Sequence, residues 1–177
     1  MRLRSILFVV HFFLTTALIA QTVQTPDAFL GYPLGSRFTL HYKIVQYVEA
    51  LAKARPDMVK LEYYGKSYEG RPLLVAFISN PDHMANLENI RINNLRLARQ
   101  SGDQQSGILN TPAIVWMSYN VHGNEASSSE AVMKTLHALL DPMNTQTKEW
   151  LKNTVIAIDP CINPDGRDRY ANWYHSV

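Results

Sequence analysis

PAIVWMSYNVHGNEASSSEAVM, residues 112–133, decides how the chain is read. Residues 112–120 are almost continuously apolar, the pattern of a strand covered on both faces. After the break, Val132, Met133, Leu136, Leu139 and Leu140 recur at helical spacing and stop at Asp141-Pro142. Ser127 and Glu130 stand at capping-box spacing, so the spacing predicts a helix from about Ser127. Between strand and helix lies a small, polar, glycine-broken turn in which His122 and Glu125 are three residues apart.

Downstream, TVIAID at 154–159 reads as a second short buried strand, and NPDG at 163–166 breaks the chain before an aromatic, polar tail that ends at Val177. Both polar interruptions follow directly on buried strands. If those strands are parallel neighbours, the interruptions meet at one end of the sheet, where open α/β sheets keep their ligand crevice.

Upstream, apolar residues at helical spacing predict a helix over 39–54 that Pro56 ends. MVKLEYYGKS gives a strand at about 58–64, EGRP turns the chain, and LLVAFIS gives a strand at 73–79 that pairs with the first as a hairpin. Residues 84–100 suit a helix with Leu87, Ile90, Leu95 and Ala98 inward, and SGDQQSG is a polar loop. Strands separated by helices, with one hairpin, predict an α/β fold: a mixed, largely parallel sheet sandwiched by helices.

The 177 residues suffice for one medium domain with a core. With 46% apolar and 18% charged residues the chain reads as globular. Seventeen Lys and Arg against fifteen Asp and Glu leave no charge footprint for nucleic acid. Residues 1–20 carry Arg2 and Arg4, an apolar run from Ile6 to about Ile19 and a small-residue ending. They read as a secretory signal peptide, which implies a secreted or periplasmic protein without a stable membrane span after its removal. A membrane anchor is the alternative, though the run falls short of the ~20 residues a span needs. Residues 21–37 form a Pro- and Gly-bearing lead-in without regular structure, and 38–177 the folded domain. A single cysteine, Cys161, rules out a disulfide framework; it reads as a small buried residue, with a catalytic thiol as the sharper alternative.

An imidazole and a carboxylate three residues apart can aim at one point, and a borderline-soft divalent ion accepts both. The same pair is also what a capping glutamate beside an exposed histidine looks like. A catalytic zinc needs three protein donors. Of the other histidines, His41 and His83 read as surface positions, His137 lies too far along its helix, and His175 could reach the crevice or stand in solvent.

Three blocks together resemble the zinc metallocarboxypeptidases, the carboxypeptidase A/B and E/N superfamily. GKSYEGRPLLVAFIS (65–79) is similar to the family's hairpin, residues 112–133 to its strand, first donor pair and following helix, and DPCINPDGRDR (159–169) to its substrate-binding strand and loop. The resemblance implies Zn²⁺ as cofactor, His122 and Glu125 as two metal donors, and peptide or protein C-termini, or cell-wall peptides, as partners. The motif's middle, Gly123-Asn124, fits the regulatory and bacterial branches and leaves Asn124 where some relatives carry a carbonyl-polarising arginine. Arg169, then Arg167, are the candidates for the substrate or oxyanion arginine, with a plain surface arginine as the alternative. The third donor, the asparagine-arginine pair, the closing tyrosine and the general-base glutamate have no match, so no catalytic residue is identified. The expectation is the N-terminal part of a carboxypeptidase domain, incomplete at its C-terminal side and inactive alone. Two competing classes share the fold: a non-catalytic peptide or cell-wall binding protein, and a related zinc amide hydrolase or deacylase.

Overall fold

The computed structural model describes residues 23–98 and 111–177; the leader at 1–20 and the SGDQQSG loop lie outside them. Two segments that alternate or run apolar around the EGRP turn form strands β1 (Val59–Lys66) and β2 (Pro72–Ile78), paired antiparallel as the hairpin the sequence predicts. Strands β3 (Ala113–Ser118) and β4 (Thr154–Asp159) complete a four-stranded sheet in the order β1-β2-β4-β3. Among the described residues, parallel pairing is confined to β3 and β4, in register from Ala113 opposite Thr154 to Ser118 opposite Asp159. Their carboxyl ends therefore lie side by side, and the two polar interruptions leave the sheet together.

The helices are α1 (Pro26–Leu30), α2 (His41–Ala54), α3 (Pro81–Ala85), α4 (Leu87–Leu97), α5 (Ser127–Leu140), α6 (Thr145–Leu151) and α7 (Pro164–Ser176). Alternate residues of β2 and β4 (Leu74, Ala76, Ile78, Ile156, Ile158) share one core with Ile44, Val48 and Leu51 of α2 and with the predicted stripe of α5. That stripe, Val132, Met133, Leu136, Leu139 and Leu140, is buried throughout. Fully burying a side chain of this size contributes about 1.5–3 kcal/mol. Cys161 is likewise buried, and burial pushes its thiol up to about 11, which suits packing and not nucleophilic attack.

Several expectations are corrected. The lead-in contains α1, started by the Thr25 side chain accepting from the Ala28 amide, with proline in its first turn. His41 is 2% exposed rather than on the surface, because its Nε2–H donates to the Pro72 carbonyl 2.8 Å away. The helix expected over 84–100 is divided at Asn86, and of its expected inner stripe only Ile90 is buried, while Ala98 is exposed. Strand β3 is not covered on both faces: it is the sheet's edge, with Ile114, Val115 and Trp116 exposed among the described residues. The NPDG segment does not end regular structure but opens α7, since Asn163 caps that helix and Pro164 takes its first turn. The capping box is absent. Ala126 precedes α5 without a side-chain cap, and Glu130 turns inward instead.

Candidate metal-donor turn

The parallel ladder continues past the strand ends. The Tyr119 amide donates to the Asp159 carbonyl, and the Ile162 amide donates back to the Tyr119 carbonyl, both at 3.0 Å. The chain then has to turn sharply, and Asn120 makes the turn with φ of +56°. Asparagine tolerates this left-handed region better than most residues. Its Nδ2 donates to the His122 carbonyl at 2.6 Å, so the same side chain holds the next bend. From His122 to Glu125 the backbone closes a four-residue turn, with the Glu125 amide donating to the His122 carbonyl at 3.0 Å.

That turn brings the two predicted donors together. His122 Nδ1 lies 3.1 Å from Glu125 Oε2, and the side chains are 71% and 63% exposed. Two donors on one tetrahedral zinc, each at about 2.0–2.1 Å, stand about 3.3–3.4 Å apart, so the observed spacing fits a shared ion with little adjustment. Without an ion the pair is an exposed imidazole-carboxylate contact, worth little to stability.

Gly123 does not take a positive φ. Its need is space: a Cβ there would lie 2.6 Å from the Cα of Gly166 and overlap the Gly166 carbonyl group. The donor turn thus rests, backbone on backbone, against the first turn of α7. Asn163 fastens the same contact, its Oδ1 accepting from the Gly166 amide and its Nδ2 donating to the Val121 carbonyl, each at 3.0 Å.

The candidate substrate residues are dispersed. Asn124 is exposed within the turn. Arg169 is exposed and pairs with Glu69 of the hairpin turn at 2.5 Å. Arg167 is fully buried, against the expectation of a substrate-facing arginine. Its Nε donates to the Thr39 carbonyl at 2.8 Å, Nη1 to Asn120 Oδ1 at 2.9 Å and to the Ala126 carbonyl, and Nη2 to Glu130 Oε1 at 2.6 Å. Glu130 also accepts from the amide and hydroxyl of Thr39 at 2.6 and 2.8 Å. A guanidinium so engaged reaches substrate only by breaking a buried network.

A second polar latch joins α7 to the hairpin. Asp165 accepts from the Ser67 hydroxyl at 2.6 Å and from Arg71 at 2.7 Å, and Asp168 accepts from Arg71 Nε and from the His41 amide, each at 2.8 Å. Burial raises the Asp165 carboxyl, but Ser67 and Arg71 outweigh it and hold its pKa below the ordinary range. Beside this latch, and sharing Asn163 with the donor turn, opens a cavity of about 350 Å³ lined in part by Lys66, Tyr68 and Ile162. Strand β4 ends in the buried Asp159. Burial pushes this carboxyl above the usual range, although it accepts from Tyr64 and from the Cys161 amide.

The zinc carboxypeptidase family model matches residues 44–176. The chain belongs to the zinc carboxypeptidase family. Solved structures place the same fold beside it. Carboxypeptidase A from Helicoverpa armigera is 23% identical with a TM-score of 0.55, over 76% of this chain and 28% of that one. Bovine thrombin-activatable fibrinolysis inhibitor, solved with a tick carboxypeptidase inhibitor, is 20% identical with a TM-score of 0.51, over 75% and 33%. A metallo-carboxypeptidase from Burkholderia cenocepacia is 14% identical with a TM-score of 0.53, over 76% and 29%. The chain thus spans no more than about a third of the length of these structures. It shares with them an open mixed sheet flanked by helices.

For the zinc the family implies, His122 and Glu125 are chemically suitable donors. Among the described residues no group of three or more His, Cys, Asp or Glu stands close enough together to hold a metal. His41 is buried on Pro72, His83 packs on Ser79 and Asn80, and His175 stands exposed in the last turn of α7. Among the described residues, His122 and Glu125 are therefore the two candidate donors brought together, where a catalytic zinc takes three.

Proposed function

We propose that the protein is an exported zinc-dependent metallocarboxypeptidase that hydrolyses C-terminal peptide bonds, with His122 and Glu125 as two of its metal donors. The observation that carries the reading is the 3.1 Å approach of His122 Nδ1 to Glu125 Oε2 where two parallel strands end. A zinc ion held there supplies Lewis-acid chemistry, polarising a scissile carbonyl and acidifying a water. The chain's own residues aim the imidazole and the carboxylate at one point, and Asn124, exposed in the same turn, would meet substrate beside them. Arg169 could meet a substrate carboxylate after giving up Glu69, an exposed pair that costs little to break.

Export is supported by the leader pattern at 1–20, and among the described residues no helix is long and apolar enough to cross a membrane. The substrate class is peptide or protein C-termini, with cell-wall peptides as one source. With two donors and no assigned general base, these 177 residues alone leave peptides uncleaved. A zinc-loaded preparation that releases C-terminal residues faster than its zinc-free control contradicts this.

The two-donor set also favours a second reading, a non-catalytic peptide or cell-wall binding protein on the same fold. Equilibrium dialysis with zinc separates the two: a zinc content unchanged by His122→Ala supports the binding protein. A zinc amide hydrolase or deacylase is less favoured, because NPDG after β4 matches the peptidase pattern.

A further inference from the structure

We propose that Arg167 is a positioning residue for the donor turn, fixing the approach of His122 to Glu125 from inside the domain. The proposal rests on reading that pair as metal donors. A single nitrogen, Nη1, donates both to Asn120 Oδ1 and to the Ala126 carbonyl. Those two residues bracket the turn, one on its strand side and one on its helix side, so the guanidinium closes a clasp across its base. Asn120 passes the constraint on directly through its Nδ2 bond to the His122 carbonyl.

The clasp is itself anchored. Nε on the Thr39 carbonyl and Nη2 on Glu130 fix the plane of the guanidinium, and Thr39 secures Glu130 with both its amide and its hydroxyl. Four separate acceptors in one plane are a task for arginine's rigid fork, and a lysine ammonium cannot span them. Stability does not account for the arrangement, since an apolar group of equal volume often replaces a buried ion pair without loss. Geometry does account for it. The turn's two donor side chains are exposed, and the start of α7 braces the turn from beneath through Asn163, Gly166 and Arg167.

The test compares Arg167→Lys and Arg167→Met with Arg71→Met, which cuts the other latch of α7 and touches no atom of the turn. Two readouts are taken on the chain: amide hydrogen exchange at 121–125 relative to β4, and zinc affinity by equilibrium dialysis. Both Arg167 variants are expected to speed exchange in the turn about tenfold relative to β4 and to weaken zinc binding roughly 10–100-fold, as loss of a partner behind a metal ligand does. Arg71→Met is expected to leave both within about twofold, at the same ratio to β4. If Arg167→Met does not fold, Arg167→Lys keeps the charge opposite Glu130 while losing the fork, and decides the question. Equal effects of the Arg167 and Arg71 variants overturn the proposal and leave Arg167 a stabilising residue only. Zinc binding indifferent to His122→Ala defeats the donor reading on its own, and the exchange ratio then still decides whether Arg167 holds the turn.

Discussion

Gly123 and Gly166 touch through their backbones, so the candidate donor turn and the first turn of α7 are separated by no side chain at all. The contact explains why two glycines far apart in sequence both sit in the polar interruptions that follow the parallel strands. It also makes the donor turn dependent on a helix that carries neither donor.

Substituting Gly123 by alanine forces the two backbones apart, because neither glycine has a rotamer with which to yield. The expected outcome is a loss of about 1–3 kcal/mol in denaturant unfolding, the range for overpacking, together with displacement of His122. Wild-type stability and zinc content in Gly123→Ala contradict the close approach.

Asn120 is tested by a pair of substitutions. Asn120→Gly keeps the left-handed backbone at φ +56° and loses the side-chain bonds, whereas Asn120→Ala loses both. The alanine variant is expected to be less stable than the glycine variant by about 1 kcal/mol, read from urea midpoints. Equal midpoints would show that the positive φ carries no strain.

The Arg167–Glu130 pair has side chains 0% and 7% exposed. Removing one partner leaves the other charge buried, so Glu130→Gln is expected to cost about 3–5 kcal/mol. The double variant Glu130→Leu/Arg167→Met is expected to cost less than Glu130→Leu and Arg167→Met added together. Strict additivity in that cycle contradicts a coupled pair.

His41 makes stability depend on pH. Burial holds its pKa below the ordinary 6.5, opposed by the Pro72 hydrogen bond and Asp168 and reinforced by Arg167 and Arg71. Its Nδ1 is buried without a partner, so a second proton finds no acceptor. A depressed pKa contributes stability that is fully present above 6.5 and is lost as the pH falls through the folded-state value. Urea unfolding at pH 7.5 and about 5.5 is expected to show a larger loss in wild type than in His41→Gln, a comparison that cancels groups common to both, such as Asp159. Equal losses contradict a neutral buried His41.

Much of this arrangement is legible in the sequence, because hydrophobic period reports burial directly. The α5 stripe, the hairpin and the buried β4 follow from spacing alone, whereas the parallel pairing that joins HGNE to NPDG was only a condition in the sequence and is supplied by the sheet. The exposure of β3 is not legible, since an apolar run says that a strand seeks cover without saying which neighbours provide it. Helix α7 was signalled by Asn163-Pro164, a cap followed by a first-turn proline, but its polar surface hid the period. The clasp was hidden for another reason. Glu130 and Arg167 are 37 residues apart, and local pattern assigns the first to a cap and the second to a surface or substrate role. One trace was available: Glu130 lies three residues before Met133, on the buried face of α5.

The central claim, that His122 and Glu125 share one zinc ion, is tested most directly by equilibrium dialysis of zinc against wild type, His122→Ala and Glu125→Ala. The account predicts that each substitution lowers bound zinc at least tenfold while the fold is retained. Zinc content unchanged in both variants contradicts it.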